Sequence, residues 1–223
     1  MAQRVPIEPE TSRWSMPDPR SAAPDEIVGY GADLDAGTLL DAYRSGLFPM
    51  RAGPEKVIAW FSPDPRSVIP LGHIHVSRTL RRSLQRFEIR VDTAFEGVMN
   101  ACAENRSDGN WIDEDFVSAY LRLFELGWAH SIEVWQNDAL VGGLYGVSIG
   151  GLFAGESMFH RVTDASKAAM VATEERLREG GGALFDVQWS TPHLESMGAI
   201  EIGREEYLKS LAAALAAPVV YWE

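Results

Sequence analysis

The chain has 223 residues, of which 46% are hydrophobic and 23% charged, and its formal net charge at pH 7 is -12. This length and composition are enough for a sizeable core, in one large domain or in a main domain with a small lobe attached. The acidic balance argues against a protein that binds nucleic acid over its whole surface, although it is compatible with a local basic site. No apolar run approaches the roughly 18 residues that span a bilayer, so we expect a cytosolic protein with no membrane partner.

Prolines and capping residues divide the first third of the chain. Five prolines and no sustained hydrophobic period in residues 1–24 indicate a flexible tail. Asp35 is placed to begin a short helix, and residues 57–61 have the pattern of a strand that ends at the prolines of 62–65. We therefore predict a small N-terminal lobe over residues 25–65 and a main lobe over residues 66–223.

The main lobe is predicted to be a mixed sheet flanked by helices. Its predicted elements are, in order, a helix from Ser77, a strand over 87–91, a helix capped by Asp92 or Thr93, a helix capped by Asp113, a hairpin over 132–147, a third strand through 159, a helix over 164–178, a strand over 183–188 and a helix over 204–215. A meander followed by helix, strand and helix is typical of an α+β, or mixed α/β, fold.

Two predicted apolar strands carry carboxylates. Glu156 lies in the third strand of the meander, and Asp186 lies in the strand that ends at Gln188. A buried carboxylate without a partner costs on the order of several kcal/mol, so both should be paired, hydrogen-bonded or catalytic. Asp186 and Gln188 are two residues apart and would share a face, where they could orient an amine and a polarised carbonyl. A structural alternative is open for each: a salt bridge from Glu156 to Arg161 or Lys167, and a capping role for the other pair.

The helix from Ser77 is strongly basic in an otherwise acidic chain. It carries Arg78, Arg81, Arg82 and Arg86. The contrast with the net charge indicates a phosphate-binding patch, and a solvated helix face is the alternative. Trp111 lies on a loop, as a stacking platform for a base or as a lid over the core.

Other kinds of site find no support. Cys102 lies in an apolar helical pattern and is interpreted as a buried inert thiol. The five histidines lack zinc-site spacing, and neither a Gly-x-x-x-x-Gly-Lys loop nor a Gly-x-Ser-x-Gly elbow is present. We expect no metal and no cofactor.

Short motifs follow one another through most of the chain, from Gly31 to Leu211. They read YRSGLFP at 43–49, SPDPR at 62–66, HVSR at 75–78, WI at 111–112, HSIEVW at 130–135, VGGLYGV at 141–147, GESMF at 155–159, ASK at 165–167, DVQ at 186–188, HL at 193–194 and GA at 198–199. In this series the chain resembles the bacterial leucyl/phenylalanyl-tRNA protein transferases.

The resemblance implies both an architecture and an activity. The main lobe would be an acyltransferase lobe similar to the GNAT superfamily. The protein would move leucine or phenylalanine from aminoacyl-tRNA to the N-terminal Arg or Lys of acceptor proteins, which marks them for degradation by the N-end rule. We expect it to act as a monomer. An aminoacyl ester is already activated, so this reaction requires neither a metal nor a covalent enzyme intermediate.

The resemblance also assigns residues. Asp186 and Gln188 match the catalytic pair, and Glu156 matches a carboxylate that positions the amino-acid amine or the acceptor. The substrate-binding residues that it implies are Trp111, which holds the terminal adenosine, with Tyr120 in the same neighbourhood, Met50 on the nucleotide-facing wall, and Leu144, Phe153, Ser157, Met158, Met170 and Phe185 at the apolar pocket for the Leu or Phe side chain. The arginines of the basic helix match a patch that grips the tRNA acceptor arm.

One position departs from the family pattern. The family usually has tryptophan where this chain has Met50, so we expect a weaker adenosine contact or one taken over by Trp60 or Trp189.

An acetyl-coenzyme A-dependent N-acetyltransferase is one rival function, but residues 158–167 lack the glycines that hold a pyrophosphate. A non-catalytic tRNA-binding protein is the other, and it would need only the basic helix.

Overall fold

The computed structural model describes residues 5–22, 26–104 and 112–222. The strands are β1 Ile27–Tyr30, β2 Phe48–Ala52, β3 Val57–Phe61, β4 Arg66–Ile69, β5 Glu88–Val91, β6 Ala129–Gln136, β7 Ala139–Ile149, β8 Leu152–His160, β9 Leu184–Gln188 and β10 Ile200–Ile202. The α-helices are α1 Ala36–Arg44, α2 Arg78–Leu84, α3 Phe95–Ala103, α4 Glu114–Glu125, α5 Ala165–Glu179, α6 Pro192–Ser196 and α7 Arg204–Leu215.

The described strands form two sheets. A three-stranded antiparallel sheet has the order β1-β3-β2, and a seven-stranded sheet has the order β10-β4-β9-β8-β7-β6-β5. In the larger sheet β8 and β9 are parallel, with α5 as the crossover between them, and the other described neighbours are antiparallel. The predicted mixed α/β fold, with a small N-terminal part and a main part, is confirmed.

The meander β6-β7-β8 follows from local turn chemistry. Asn137 and Asp138 have φ values of 50° and 58°, as the two-residue hairpin turn between β6 and β7 requires. Gly142 in β7 lets α5 approach the sheet closely, because a Cβ there would lie 2.5 Å from that of Ala165. This long hairpin is the platform on which the helices pack.

Helices cover both faces of the larger sheet. Along β7, Tyr145 packs in a core cluster with residues of α3 and α4, whereas its neighbour Leu144 packs in a cluster with residues of α5. Successive side chains of a strand point to opposite faces, so α5 lies on one face and α3 with α4 on the other. We refer below to the α5 face and the α3–α4 face.

Two helix starts show how well capping can be predicted. The side chains of Ser77 and Asp113 cap α2 and α4 as predicted. The prediction that Asp92 or Thr93 caps α3 is wrong. Glu133 of β6 accepts hydrogen bonds there from the Ala94 N–H, at 2.7 Å, and from the Thr93 hydroxyl, so a distant strand supplies the carboxylate.

Residues 5–22 run along the body of the protein. The indole N–H of Trp128 donates to the carbonyl of Ile7 at 2.8 Å, and Glu8 and Arg20 form ion pairs with Arg44 and Glu205. The three-stranded sheet ends at residue 61 and the first strand of the larger sheet begins at residue 66. The division into a flexible tail 1–24 and lobes 25–65 and 66–223 stays a prediction.

Among the described residues, the longest α-helix has 15 residues, and none combines the length and apolarity that crossing a bilayer requires.

Candidate active site

A gap opens between the two parallel strands of the larger sheet. β8 and β9 pair from Leu152 opposite Leu184 to Ala154 opposite Asp186. Both strands continue past this point, to His160 and Gln188, without further ladder pairs. Backbone groups along the gap can therefore bind a substrate. The side chains at the start of the gap define a candidate site.

A carboxylate and an amide bridge the gap. The side-chain Nε2 of Gln188 donates to Oε1 of Glu156 at 2.8 Å, and both side chains are buried. Because Glu156 takes the amide N–H, the amide oxygen of Gln188 points elsewhere, and no donor within the described ranges is bonded to it. The pair thus offers an oriented acceptor on one strand and a carboxylate on the other.

Two tyrosines complete the surroundings of Glu156. Tyr120 of α4 donates from its hydroxyl to Oε2 of Glu156 at 3.2 Å, and the Tyr120 hydroxyl is hydrogen-bonded in turn to that of Tyr43 in α1. Burial raises the pKa of both phenols well above 10, so the hydroxyls stay protonated and act as donors. The two helices therefore reach the carboxylate from the α3–α4 face.

Glu156 itself has a strongly shifted pKa. Burial raises the pKa of Glu156 from 4.5 to about 7, against the opposing effect of the Tyr43 and Tyr120 hydroxyls. Neither salt bridge considered for it from the sequence is formed. Arg161 pairs with Glu104 instead, at 3.0 Å, and no contact joins Glu156 to Lys167.

Asp186 lies in a closed ion pair. Arg66 of β4 binds it in a bidentate manner, with Nε to Oδ1 at 2.9 Å and Nη2 to Oδ2 at 2.6 Å, and each side chain is only 1% exposed. The Tyr207 hydroxyl of α7 donates to the same Oδ2 at 2.8 Å. The guanidinium lies between two rings, 4.7 Å from the Phe48 centroid and 4.5 Å from that of Tyr207. Burial alone lowers the pKa of Arg66, but Asp186 and the groups around it raise that pKa by more, so the guanidinium stays charged.

The link between Asp186 and Gln188 is made by the backbone. The Gln188 N–H donates to Oδ1 of Asp186 at 2.9 Å, and Gln188 has a left-handed φ of 66°. A non-glycine residue in that region is unusual, and the Asp186 carboxylate stabilises it there. The two side chains were predicted to lie side by side on one strand face. In the structure Asp186 turns to Arg66 and Tyr207, while Gln188 turns to Glu156.

Sequence reasoning missed three residues of this site, namely Tyr43, Arg66 and Tyr207. A signal existed for Arg66, because a carboxylate predicted to be buried requires a cation and Arg66 closes one of the motifs. Tyr43 lies in another of the motifs. Tyr207 lies on the last helix, outside every motif, so nothing in the sequence indicated that it belongs to the site.

The residues assigned to the apolar pocket lie on the other face of the sheet. Leu144, Phe153, Met170 and Phe185 belong to the buried cluster of the α5 face, and Met158 packs at its edge. Met158 also lines a cavity of about 240 Å³ with Cys102 and residues 159–161. Ser157 is buried beside Met158 on β8. Most of the assigned residues thus lie on the opposite side of the sheet from Tyr43 and Tyr120, and their binding roles stay predictions.

The predicted adenosine contact involves Trp111, which lies outside the described residues. Met50 is half-buried on β2, opposite Ala59. Trp60 is buried, with its indole N–H bonded to the Gly31 carbonyl at 3.0 Å, so it offers no face to a nucleotide. Trp189 follows the site directly and packs edge-on against Phe48, 4.8 Å between centroids.

The basic helix α2 presents its arginines to solvent. Arg78, Arg81 and Arg82 lie on α2, whereas Arg86, which the sequence placed on the same helix, follows its end at Leu84. All four are exposed, and none has a carboxylate within 4.0 Å in the part of the chain that the structure describes. The helix packs on the start of α5, where Ser83 donates to Asp164 at 2.8 Å. Because α5 begins shortly after β8, the four charges lie toward the end of the sheet where the gap opens.

No group of three or more His, Cys, Asp or Glu side chains is placed to hold a metal ion among residues 5–22, 26–104 and 112–222.

These features suit an enzyme that orients two substrates for group transfer. A carboxylate with a pKa near 7 can exchange a proton with an amine, and an oriented amide can hold either the amine or a carbonyl. The mixed sheet with its interrupted parallel pair and an adjacent cationic helix therefore defines a transferase-like site.

Comparison with known proteins identifies the family. The chain matches the models of the leucyl/phenylalanyl-tRNA protein transferase over residues 68–212 and of that protein's N-terminal domain over residues 32–64. It is 47% identical to the leucyl/phenylalanyl-tRNA–protein transferase of Anaeromyxobacter sp. (strain K), over 97% of this chain and 93% of that protein. It is 52% identical to the enzyme of that name from Paramagnetospirillum magneticum, over 82% of this chain and 90% of that protein. The chain belongs to the leucyl/phenylalanyl-tRNA protein transferase family, as the motif series indicated.

Proposed function

We propose that this chain transfers leucine or phenylalanine from aminoacyl-tRNA to the N-terminal Arg or Lys of acceptor proteins. The single observation that carries the proposal is the bridge between Glu156 and Gln188 across the gap of a parallel strand pair, at 2.8 Å. Family membership supplies the substrate class. The product would enter N-end rule degradation, and we propose that the enzyme acts as a monomer in the cytosol.

The reaction is the aminolysis of an ester. The acceptor's α-amine nitrogen attacks the carbonyl carbon that joins the amino acid to the terminal ribose, and a C–N bond forms. The C–O bond to the ribose then breaks, and the proton lost by the amine ends on the ribose oxygen. Because the ester is activated, orientation of the amine, proton transfer and stabilisation of the oxyanion are what the enzyme must supply.

Glu156 and Gln188 have complementary parts in this scheme. The amide oxygen of Gln188 accepts from the attacking amine and aligns it with the ester carbonyl. Glu156 holds the amide in that orientation, and with a pKa of about 7 it is suited to take up and return a proton near neutral pH. Tyr120 keeps the carboxylate in place through its hydroxyl, 3.2 Å away.

Asp186 has an indirect part. Its oxygens are occupied by Arg66, Tyr207 and the Gln188 N–H, so it has little capacity left for a substrate. We propose that it fixes the left-handed backbone of Gln188 and so aims the amide at the gap. In this scheme Asp186 is a positioning residue.

The arginines of α2 are proposed to bind the acceptor arm of the tRNA. Unpaired guanidinium groups neutralise phosphates and release counterions, which makes binding strong at low salt and weak at high salt. In a chain of net charge -12 such a patch also directs the tRNA to one face. The interrupted pairing of β8 and β9 supports the GNAT-like arrangement that the motif series implies.

One assay tests the proposal. The protein is incubated with radiolabelled leucyl-tRNA and a peptide that begins with arginine, and leucyl-peptide is measured against an enzyme-free control. The same peptide with an acetylated N-terminus is the matched control, because it lacks the attacking amine. Product from the free peptide alone is expected.

The two rival functions give different outcomes. An N-acetyltransferase would modify the peptide when acetyl-coenzyme A replaces the charged tRNA. A binding protein without catalysis would retain leucyl-tRNA on a filter and form no leucyl-peptide, and either result would overturn the proposal.

A further inference from the structure

The segment that follows α7 returns to the larger sheet and covers the α5 face. In residues 216–222, Val220 and Trp222 are buried, and the Val220 N–H donates to the Gly150 carbonyl at 3.2 Å, in the turn between β7 and β8. Val220 also packs closely on Gly180, which follows α5: a Cβ added to Gly180 would lie 2.8 Å from a methyl carbon of Val220. The segment is therefore seated between the end of α5 and the meander.

Trp222 lies across three adjacent strands. Its indole N–H donates to Oγ of Ser148 on β7 at 2.9 Å. Its ring stacks on His130 of β6, 5.6 Å between centroids, and packs against Phe153 of β8 at a tilt of 45°, 4.7 Å between centroids. With 6% of its surface exposed, the indole is part of the core on this face.

Phe153 is held from three sides. Trp222 covers one side of its ring, and Phe185 of β9 meets it edge-on at 5.8 Å. On another side the ring lies against the bare backbone of Gly146, where a Cβ would come within 2.7 Å of ring carbons. Interiors are close-packed, so the position of Phe153 depends on the ring of Trp222 behind it.

Phe153 and Phe185 are the last aromatic pair of the two strands before the gap opens. They face each other in the ladder, and the next pair is Ala154 with Asp186. The resemblance assigns both residues to the apolar pocket for the leucyl or phenylalanyl side chain, and we take them as part of its wall. Whatever fixes Phe153 therefore fixes the depth of that wall.

We propose that Trp222 is a specificity-determining residue, which sets the size of the amino-acid pocket by holding Phe153 forward. The inference rests on the proposed function, and it concerns a residue beyond position 212, where the match to the family model ends. Trp222 does not touch the reacting atoms in this scheme. It acts through Phe153, so it favours the smaller leucyl group over the larger phenylalanyl group.

The test is the ratio of kcat/KM for leucyl-tRNA and phenylalanyl-tRNA with one acceptor peptide. In Trp222→Ala the ring of Phe153 can retreat into the vacated space, and the ratio is expected to move toward phenylalanine by about tenfold, which is a typical effect of one or two methylene-sized changes in a pocket. Trp222→Phe, which keeps a ring behind Phe153, is expected to move it by less.

Trp128→Ala is the matched control. Trp128 is also buried and also donates its indole N–H to a partner, the Ile7 carbonyl, but it belongs to the cluster of the α3–α4 face. This variant should lose stability and leave the ratio as in the wild type. A merely structural role for Trp222 would lower the rates for both donors equally.

Each outcome has one meaning. A wild-type protein that transfers neither amino acid overturns the proposed function, and this inference with it. A wild type that transfers leucine, together with an unchanged ratio in Trp222→Ala, overturns the inference alone. If Trp222→Ala fails to fold by circular dichroism, the ratio in Trp222→Phe decides, and an unchanged ratio there contradicts the inference.

Discussion

Two buried carboxylates lie near each other in the larger sheet, and they are buried in opposite ways. Asp186 has a bidentate guanidinium partner, a tyrosine hydroxyl and a backbone N–H. Glu156 has an amide and a tyrosine hydroxyl, and its partners carry no charge. The first arrangement compensates the charge that burial penalises, whereas the second leaves it mostly uncompensated.

The difference separates a fixed group from one that can change its protonation state near neutral pH. A fully paired carboxylate holds its neighbours in place. A carboxylate whose pKa burial has raised to about 7 can gain and lose a proton under physiological conditions. The sheet thus contains an anchor and a proton-exchanging group, connected through the backbone and side chain of Gln188.

The largest effect is expected from removing the anchor's cation. Arg66→Met leaves Asp186 buried and unpaired, which should lower the free energy of unfolding by about 3–5 kcal/mol in urea titrations. The double variant Arg66→Met with Asp186→Leu should recover much of that loss, because it removes both charges. Arg51→Met is the control: its partners Asp113 and Asp115 are 35% and 77% exposed, so we expect a cost of about 1 kcal/mol or less. Equal losses from Arg66→Met and Arg51→Met would contradict the closed pair.

The uncompensated carboxylate should appear in the pH dependence of stability. Between pH 4.5 and about 7 the folded protein keeps a proton on Glu156 that the unfolded chain has released. The free energy of unfolding should therefore fall as the pH rises through this window and level off above it, by a total on the order of 3 kcal/mol. Glu156→Gln should lack this component. Subtracting its profile from that of the wild type isolates it from other groups, such as His193, whose pKa burial lowers. Parallel profiles would show that Glu156 titrates normally.

A substitution at Gln188 can break the connection between Asp186 and Glu156. Asn tolerates a left-handed backbone, so Gln188→Asn should fold, but its amide is one methylene too short to reach Glu156. We expect kcat to fall by about 100-fold with little change in the KM for leucyl-tRNA, as for loss of a donor or orienting group in a reaction site.

A basic-helix variant serves as the opposite control for this experiment. Arg82→Ala should raise the KM for tRNA, keep kcat and flatten the salt dependence of binding. The assigned roles would be wrong if both variants weakened tRNA binding to the same degree.

The smallest effect concerns the hydroxyl that supports Glu156. The hydrogen bond from Tyr120 lowers the pKa of Glu156 against the larger effect of burial. Tyr120→Phe should therefore move the Glu156-dependent part of the pH–rate profile to higher pH, with a stability cost of about 1 kcal/mol. An acidic displacement of the profile would rule out Tyr120 as the supporting donor.

Much of the fold could be predicted because it depends on local signals. Ser77 and Asp113 cap their helices, and Asn137 with Asp138 forms the hairpin turn. Strands β1, β2, β4 and β10 were missed, because each is too short or too irregular in its apolar and polar residues to show a clear period. The cap of α3 was misassigned since Glu133, some 40 residues away in the sequence, replaced the local candidates.

The candidate site was predictable only in part. The cost of burying a carboxylate identified Glu156 and Asp186, but it did not identify their partners. Arg66 is 120 positions from Asp186 in the sequence, and Tyr120 is 36 from Glu156. No local pattern encodes such pairings, because they are created by the order of strands in the sheet and by the helix that crosses behind it.

The contact between Tyr207 and Asp186 has a consequence for how the protein is made. The site joins side chains from α1 to α7, so a chain still emerging from the ribosome holds Asp186 before Tyr207 can reach it. Domains generally fold as units during synthesis, and the last helix must dock before this one is complete. Nascent chains and fragments that lack α7 should therefore be inert, which keeps charged tRNA from being consumed by unfinished enzyme.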